Sequence, residues 1–390
     1  AARLDTTFTA ALILALKARG YAASPYTRGP AFTAAQRAAD RRRYDSLRVI
    51  VDRRWARLSA YDRRHVAYIQ AYLDVDLEKA YQDARAMVAA APGSREAIRE
   101  AALACSRTGR WRELSRLSEQ IVQGAGPMGP LSPMEPWPGL LLARYTVGDY
   151  ARMLEEAHRA AAHYPEFGET WRGYEAMALA ATGRIDALER LAAAWTGTDR
   201  DAETGSSWLL TLAATLELHG YRAAARAFYE RARVRYMEAV RTNRPDERTS
   251  EYERRLCLLD ALMGLGRDDE ARAFALDLER RFQNDPTALW RQALLAVRAG
   301  DPEAARGLHA RLDALRPEDA PHLSDSVFRL DRLRALAGVS SALGDQARAI
   351  RFLKEGWWPI RYPRERLLFS ALDGYEPYDL WRWSDRQNTR

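Results

Sequence analysis

Gly124, Gly126 and Gly129 spell G-x-G-x-x-G. That spacing holds a dinucleotide when a strand leads into it and a helix follows, so that backbone N–H groups meet the pyrophosphate. Here a helical pattern precedes the glycines, a proline-rich stretch follows, and Pro127 removes one of the donors. The segment reads as a loop between helices. The six histidines are His65, His158, His163, His219, His309 and His322. His158 and His163 are five apart, which is not one helical face, and no H-E-x-x-H or His/Cys/carboxylate cluster has ligand spacing. G-x-S-x-G, P-loop and kinase signatures are missing. Glu155-Glu156 and Asp268-Asp269-Glu270 fit solvated helix faces and first-turn charges that suit the helix dipole. We therefore expect no catalytic residues, no cofactor and no metal, and a chain that is not an enzyme.

Two other groups could bind rather than react. Arg41-Arg42-Arg43, Arg53-Arg54 and Arg63-Arg64 interleave with Tyr44, Trp55 and Tyr61. Arginine beside aromatics suits phosphate contact and base stacking. Asp40, Asp45, Asp52 and Asp62 balance the same stretch, so a solvated helix face is the simpler reading. The C-terminal end is aromatic, with Trp357, Trp358, Tyr362, Phe369, Tyr375, Tyr378, Trp381 and Trp383. A capping segment over the last helices explains that composition. The alternative is a docking surface made by Trp357, Trp358, Tyr375, Tyr378, Trp381 and Trp383, since such residues favour interface centres.

The elements that must position these residues are helices. The 390 residues are 47% hydrophobic and 29% charged. That is enough apolar residue for a core and too much for a disordered chain. Ala, Leu, Arg and Glu dominate, and period-two runs of β-branched residues are missing. The net charge is +7, and only Lys17, Lys79 and Lys354 of the 60 basic residues are lysine. Codon usage of a GC-rich genome accounts for that bias without a polyanionic partner. Cys105 and Cys257 lie far apart in apolar helical patterns and read as buried free thiols. They leave the compartment open, with the cytoplasm favoured. No stretch approaches the ~18–20 apolar residues of a membrane span. The chain begins without Met, at Ala-Ala-Arg-Leu-Asp-Thr-Thr-Phe, and reads as part of a longer or processed protein.

A glycine recurs between apolar helical stretches, at Gly109, Gly148, Gly183, Gly220, Gly266, Gly300 and Gly344, with spacings of 39, 35, 37, 46, 34 and 44. Two helices of ~12–15 residues and two turns need such a period. Gly takes the left-handed conformation that reverses a helix, and a following Asp can cap the next one. Five residues past each Gly stand Leu114, Met153, Leu188, Ala225, Ala271, Ala305 and Ala349. Seven before each stand Ala102, Leu141, Ala176, Ala213, Leu259, Ala293 and Ala337. All are apolar and many are small, as close helix packing requires.

This pattern resembles the tetratricopeptide repeat. Pro165 and Pro317 fall seventeen residues after their Gly, Trp137 eleven before Gly148, and Trp171, Trp208 and Trp290 within one of that place. The resemblance covers residues 60–357, with degenerate repeats. It implies an all-α, right-handed superhelical solenoid of antiparallel helix pairs, whose first helices line a groove at Arg99, Leu103, Tyr145, Met177, Leu210, Trp290 and Leu294. The Lys/Asn clamp of chaperone-binding members is not matched there. Leu-Ser-Ala-Tyr-Asp-Arg at 58–63, Ala-Pro-Gly-Ser at 91–94, the Trp-Pro at 137 and Asp-Gly-Tyr-Glu-Pro at 373–377 are similar to the C-terminal repeat region of multidomain bacterial signalling proteins. The resemblance implies a scaffold that binds a protein or peptide, including a missing N-terminal domain of its own. A nucleic-acid or regulator accessory module using the Arg-rich N-terminal third is the alternative.

The expected organisation is an N-terminal helical segment at 1–59, a helix-pair array at 60–357 and an aromatic cap at 358–390. Within it we expect a helix at 6–20, a loop at 21–33, a long charged helix from Ala34 to Leu58, and helices from Ser59 to Leu73 and from Leu77 to Ala91. A Gly/Pro-rich break is expected at 124–139, and longer connections at 196–206 and 243–249.

Overall fold

A computed structural model describes residues 9–23, 34–74, 76–123, 136–194, 208–242, 251–320 and 325–355. Among these residues there are eighteen α-helices, three 3-10 turns and no strand. The helices are α1 (Thr9–Ala23), α2 (Ala34–Asp52), α3 (Ala60–Leu73), α4 (Leu77–Ala90), α5 (Arg95–Thr108) and α6 (Trp111–Gln123). Then follow α7 (Pro136–Thr146), α8 (Tyr150–His163), α9 (Gly168–Ala181), α10 (Ile185–Ala193), α11 (Trp208–Leu218) and α12 (Arg222–Thr242). The last six are α13 (Glu251–Gly264), α14 (Asp268–Arg281), α15 (Pro286–Arg298), α16 (Pro302–Ala314), α17 (Asp325–Ala342) and α18 (Gln346–Glu355). Consecutive helices pack on one another along α3–α4–α5–α6, α8–α9–α10, α11–α12–α13 and α13–α14–α15–α16, and α9 also packs on α11.

One joint closes seven of the pairs. Gly109, Gly148, Gly183, Gly220, Gly266, Gly300 and Gly344 have φ between 67° and 83°. This is the left-handed region, where a Cβ would be strained. In each case the N–H after the Gly donates to the carbonyl five residues back, as in Arg110 to Cys105, Asp149 to Arg144 and Asp301 to Ala296, all at 2.9 Å. These bonds satisfy carbonyls that the helix end leaves orphaned. The carbonyl of that same residue then accepts the first bond of the next helix, as Arg110 does from Leu114 at 2.9 Å.

The offsets read from the sequence mark the core. All seven residues five past the Gly, and all seven residues seven before it, are buried. Side-chain caps start other helices. Ser59 accepts from Asp62 N–H at 3.0 Å, Asp76 from Lys79 at 3.1 Å and Ser94 from Ala97 at 3.3 Å. Elsewhere aromatic rings fill the space that a missing side chain leaves. A Cβ on Gly173 would run into the Trp208 ring, and one on Gly338 into the Trp290 ring. Pro165 and Pro317 each open a 3-10 turn at the end of a pair.

Three boundaries differ from the sequence reading. The charged helix ends at Asp52, and a 3-10 turn at Trp55–Arg57 follows before Ser59 caps α3. The break expected at 124–139 ends earlier, because α7 starts at Pro136. Proline suits the first turn of a helix, whose N–H groups have no intrahelical acceptor. The first helix continues to Ala23, so residues 21–23, expected in the loop, are helical. The expected connections at 196–206 and 243–249 lie outside the described residues.

The chain divides into two compact units, Ala1–Leu140 with Leu323–Val327, and Leu141–His322 with Phe328–Arg390. In the first, α1 packs on both α2 and α3, so residues before 60 share a unit with the helices that follow. No described helix is long and apolar enough to cross a membrane.

Candidate functional site

Titratable side chains from three helices meet in the first unit. The buried side of α1 carries Leu12, Ile13 and Leu16, and then Lys17, which is 7% exposed. Glu96 and Glu100 stand four apart on α5, one turn along a single face. Lys17 Nζ lies 2.8 Å from Glu96 Oε1 and 2.5 Å from Glu100 Oε1. Tyr21, one turn beyond Lys17, donates its hydroxyl to Glu100, and its ring meets Tyr72 edge-on at 5.3 Å. Arg99 donates to Glu100 Oε1 at 2.8 Å, and Tyr68 brings its hydroxyl 3.4 Å from that of Tyr21.

Glu100 is 1% exposed. Burial pushes its carboxyl up, but Lys17, Arg99 and the Tyr21 hydroxyl outweigh burial and hold it below the usual carboxylate range. Burial and the Glu100 charge push the Tyr21 hydroxyl well up. His65 on α3 is 2% exposed, and its Nε2 has no hydrogen-bond partner. Burial lowers its pKa; Glu96 raises it, Lys17 lowers it, and Glu100 and Asp62 raise it.

The second unit holds a different cluster. Asp285 is buried at the start of α15, where it accepts from Ala288 N–H at 2.8 Å and from the Tyr252 hydroxyl at 2.9 Å and 3.0 Å. Six residues further on, buried Arg291 donates to both oxygens of Asp260 at 3.1 Å and 3.4 Å. The Arg291 and Arg334 guanidiniums lie 4.5 Å and 5.4 Å from the Trp290 ring centre, within reach of the ring's electrostatic attraction for a cation. Burial lowers the Arg291 pKa against the opposing pull of Tyr252, Asp285 and Asp331. Burial and Asp285 push the Tyr252 hydroxyl well up. Charges taken out of water are tolerated only when paired this closely. Both clusters tie together helices distant in sequence.

The surface of the second unit also has a shallow depression on α14 and α16. Ala273, Leu276, Arg280, Gln283, Asn284 and Arg311 contribute to its lining, and Leu276 is exposed there. Arg311 spans Glu279 at 2.5 Å and Asn284 at 2.7 Å, which fixes the rim. Asn284 itself is left-handed, at φ 58°.

The seven groove candidates are not gathered in this depression. Arg99 and Leu103 are half-buried on α5, and Leu294 is half-buried on α15. Tyr145, Met177, Leu210 and Trp290 are buried among the helices. Only the first three thus keep side-chain surface open to solvent. The docking candidates Trp357, Trp358, Tyr375, Tyr378, Trp381 and Trp383 lie outside the described residues, as do Gly124, Gly126, Gly129 and His322. Among the arginines of the basic stretch, Arg41 pairs with Asp45 and Asp74, Arg43 with Asp40, Arg48 with Asp52 and Arg64 with Asp83.

His158 pairs with Glu175 at 3.0 Å, and buried His309 meets Ser340 Oγ at 3.0 Å. Among the described residues no three His, Cys, Asp or Glu side chains gather as a metal site. Cys105 is buried, which raises its thiol pKa, and Cys257 is half-buried; neither forms a disulfide. Sequence reasoning missed Lys17, His65 and Glu100. A rare lysine on the apolar side of a helix, in a chain with 60 basic residues of which three are lysine, was the available signal. Neither protein-family models nor curated protein sequences match this chain, so its function is read from its own geometry.

Proposed function

We propose that the chain is a non-catalytic scaffold of tetratricopeptide-like helix pairs that binds a protein or peptide partner, within a larger bacterial signalling protein. The observation that carries this reading is the depression on α14 and α16. It combines exposed Leu276 with Arg280 and Arg311 on a frame closed by repeated glycine joints. A preformed surface loses little freedom when a partner docks, so a small apolar patch rimmed by Arg280, Arg311 and Glu279 can hold an extended peptide of mixed charge. The nucleic-acid alternative is disfavoured because Arg41, Arg43, Arg48 and Arg64 already face carboxylates.

The test is capture by the full chain, quantified against Leu276→Glu, Leu103→Glu and an unrelated helical protein. We expect a partner enriched by the native chain and bound about tenfold more weakly by Leu276→Glu, the loss of about 1.4 kcal/mol. Absence of any enriched protein or peptide, with or without added upstream sequence, sinks the reading.

A further inference from the structure

We propose that α1 is an acid-released cover over α3 and α5, held by the Lys17 latch and triggered by protonation of His65. The placement of the groups carries the proposal. Lys17 and Tyr21 of α1 bind Glu96 and Glu100 of α5, 79 residues away in sequence. His65 of α3 is buried with Nε2 unpartnered, between Tyr61, whose hydroxyl lies 3.4 Å from Ser94 at the start of α5, and Tyr68, whose hydroxyl lies 3.4 Å from that of Tyr21. The groups that act on it are Lys17 from α1, Glu96 and Glu100 from α5, and Asp62 from its own helix. Tyr61 of its own helix faces its ring edge-on at 6.0 Å. Asp83 of α4, which also packs on α3, instead accepts from Arg64 at 3.0 Å.

A proton taken up by His65 has no acceptor waiting at Nε2 for the new N–H, and the charge adds to that of Lys17. Glu96 and Glu100 attract it, yet both are already engaged by Lys17. The uncovered state, in which His65 meets water, takes the proton readily. Burial therefore sets the sign: the folded pKa lies below the free value of 6.5, so the cover is fully held above pH 6.5 and loosens as pH falls below it. Glu100 is held below its ordinary 4.5, so its tie persists until the medium is far more acidic. The window between about 4.5 and 6.5 thus belongs to His65. Release bares the apolar contacts under α1, where Gly20 sits against Ile69, Leu73 and Tyr44.

Hydrogen exchange of the full chain, corrected for the intrinsic rate at each pH, reads this directly. Protection of residues 9–23 should fall between pH 7.5 and 5.5, by up to about tenfold, the limit reached when the open state alone takes the proton one unit below the free pKa. Peptides from α13 and α14, which carry no histidine, should hold their protection. His65→Gln should abolish the fall, and Lys17→Met should lower protection of α1 at pH 7.5 and shrink the further fall at pH 5.5, because Glu96 and Glu100 are then free to attract the imidazolium. The native chain alone can overturn the proposal, by keeping equal protection of α1 at both pH values. So can a His65→Gln chain that folds and retains the fall.

Discussion

The two buried charge clusters do similar mechanical work with different chemistry. In the first unit an ammonium, two carboxylates and tyrosine hydroxyls tie α1 to α5, with an imidazole buried alongside. In the second, a guanidinium is clamped to Asp260 while Asp285 caps its helix and accepts from Tyr252. Arginine stays protonated through any physiological pH even when burial lowers its pKa. Among the described residues, the groups that act on Arg291 include Tyr252, Asp285, Asp331 and Cys257, none of them an imidazole. The lesson is that burial makes a tie strong in either place, but only an imidazole nearby makes it responsive near neutrality.

Substitutions break this comparison in graded steps. Arg291→Met should cost the second unit about 3–5 kcal/mol, because removing one partner of a buried pair leaves the other charge desolvated. Urea denaturation, with exchange of α13 and α15 as the local readout, measures it. A loss below about 1 kcal/mol would show that water already solvates Asp260. Lys17→Met should cost the first unit less, about 2 kcal/mol, since Arg99 and Tyr21 still satisfy Glu100. The same denaturation series orders the two.

Packing gives the smallest contrast. Gly338→Ala pushes a methyl into the Trp290 indole, and should cost about 1–3 kcal/mol. Gly20→Ala meets one methyl of Ile69 at 2.7 Å, with its next neighbours at 3.6 Å. That milder crowding should cost about 1 kcal/mol. Melting temperatures of the two variants test that order; equal shifts would mean the indole gives way as easily as the isoleucine.

The helical class and the joints were legible because they are local. A left-handed glycine, the N–H that follows it and two apolar offsets lie close together along the chain, which must solve the same end-of-helix problem each time. The clusters were not legible, because Lys17 meets Glu96 across 79 residues of sequence and Tyr252 meets Asp285 across 33. The groove set shows a second limit. Periodicity says that Tyr145, Met177, Leu210 and Trp290 sit on apolar helix faces, but not whether the face meets a neighbour or a partner. In the middle of a helical stack a first helix is covered on several sides, and α9 buries nearly every residue from Thr170 to Ala181. Of the carboxylates that face Arg41, Asp45 was readable four residues on, whereas Asp74 at the end of α3 was not.

The seven joints are alike while the stretches between them are not: 46 residues separate Gly220 from Gly266 and 34 separate Gly266 from Gly300. Part of the long interval is the 21-residue α12, whose last turns carry exposed Val234 and Met237. Each closure draws its hydrogen bonds from within its own short segment, so it does not depend on how long the neighbouring helices are. Such a chain is built for editing by whole hairpins. A duplication or deletion cut at two of these glycines would rejoin ends of the same backbone geometry, adding or removing helices without a new turn.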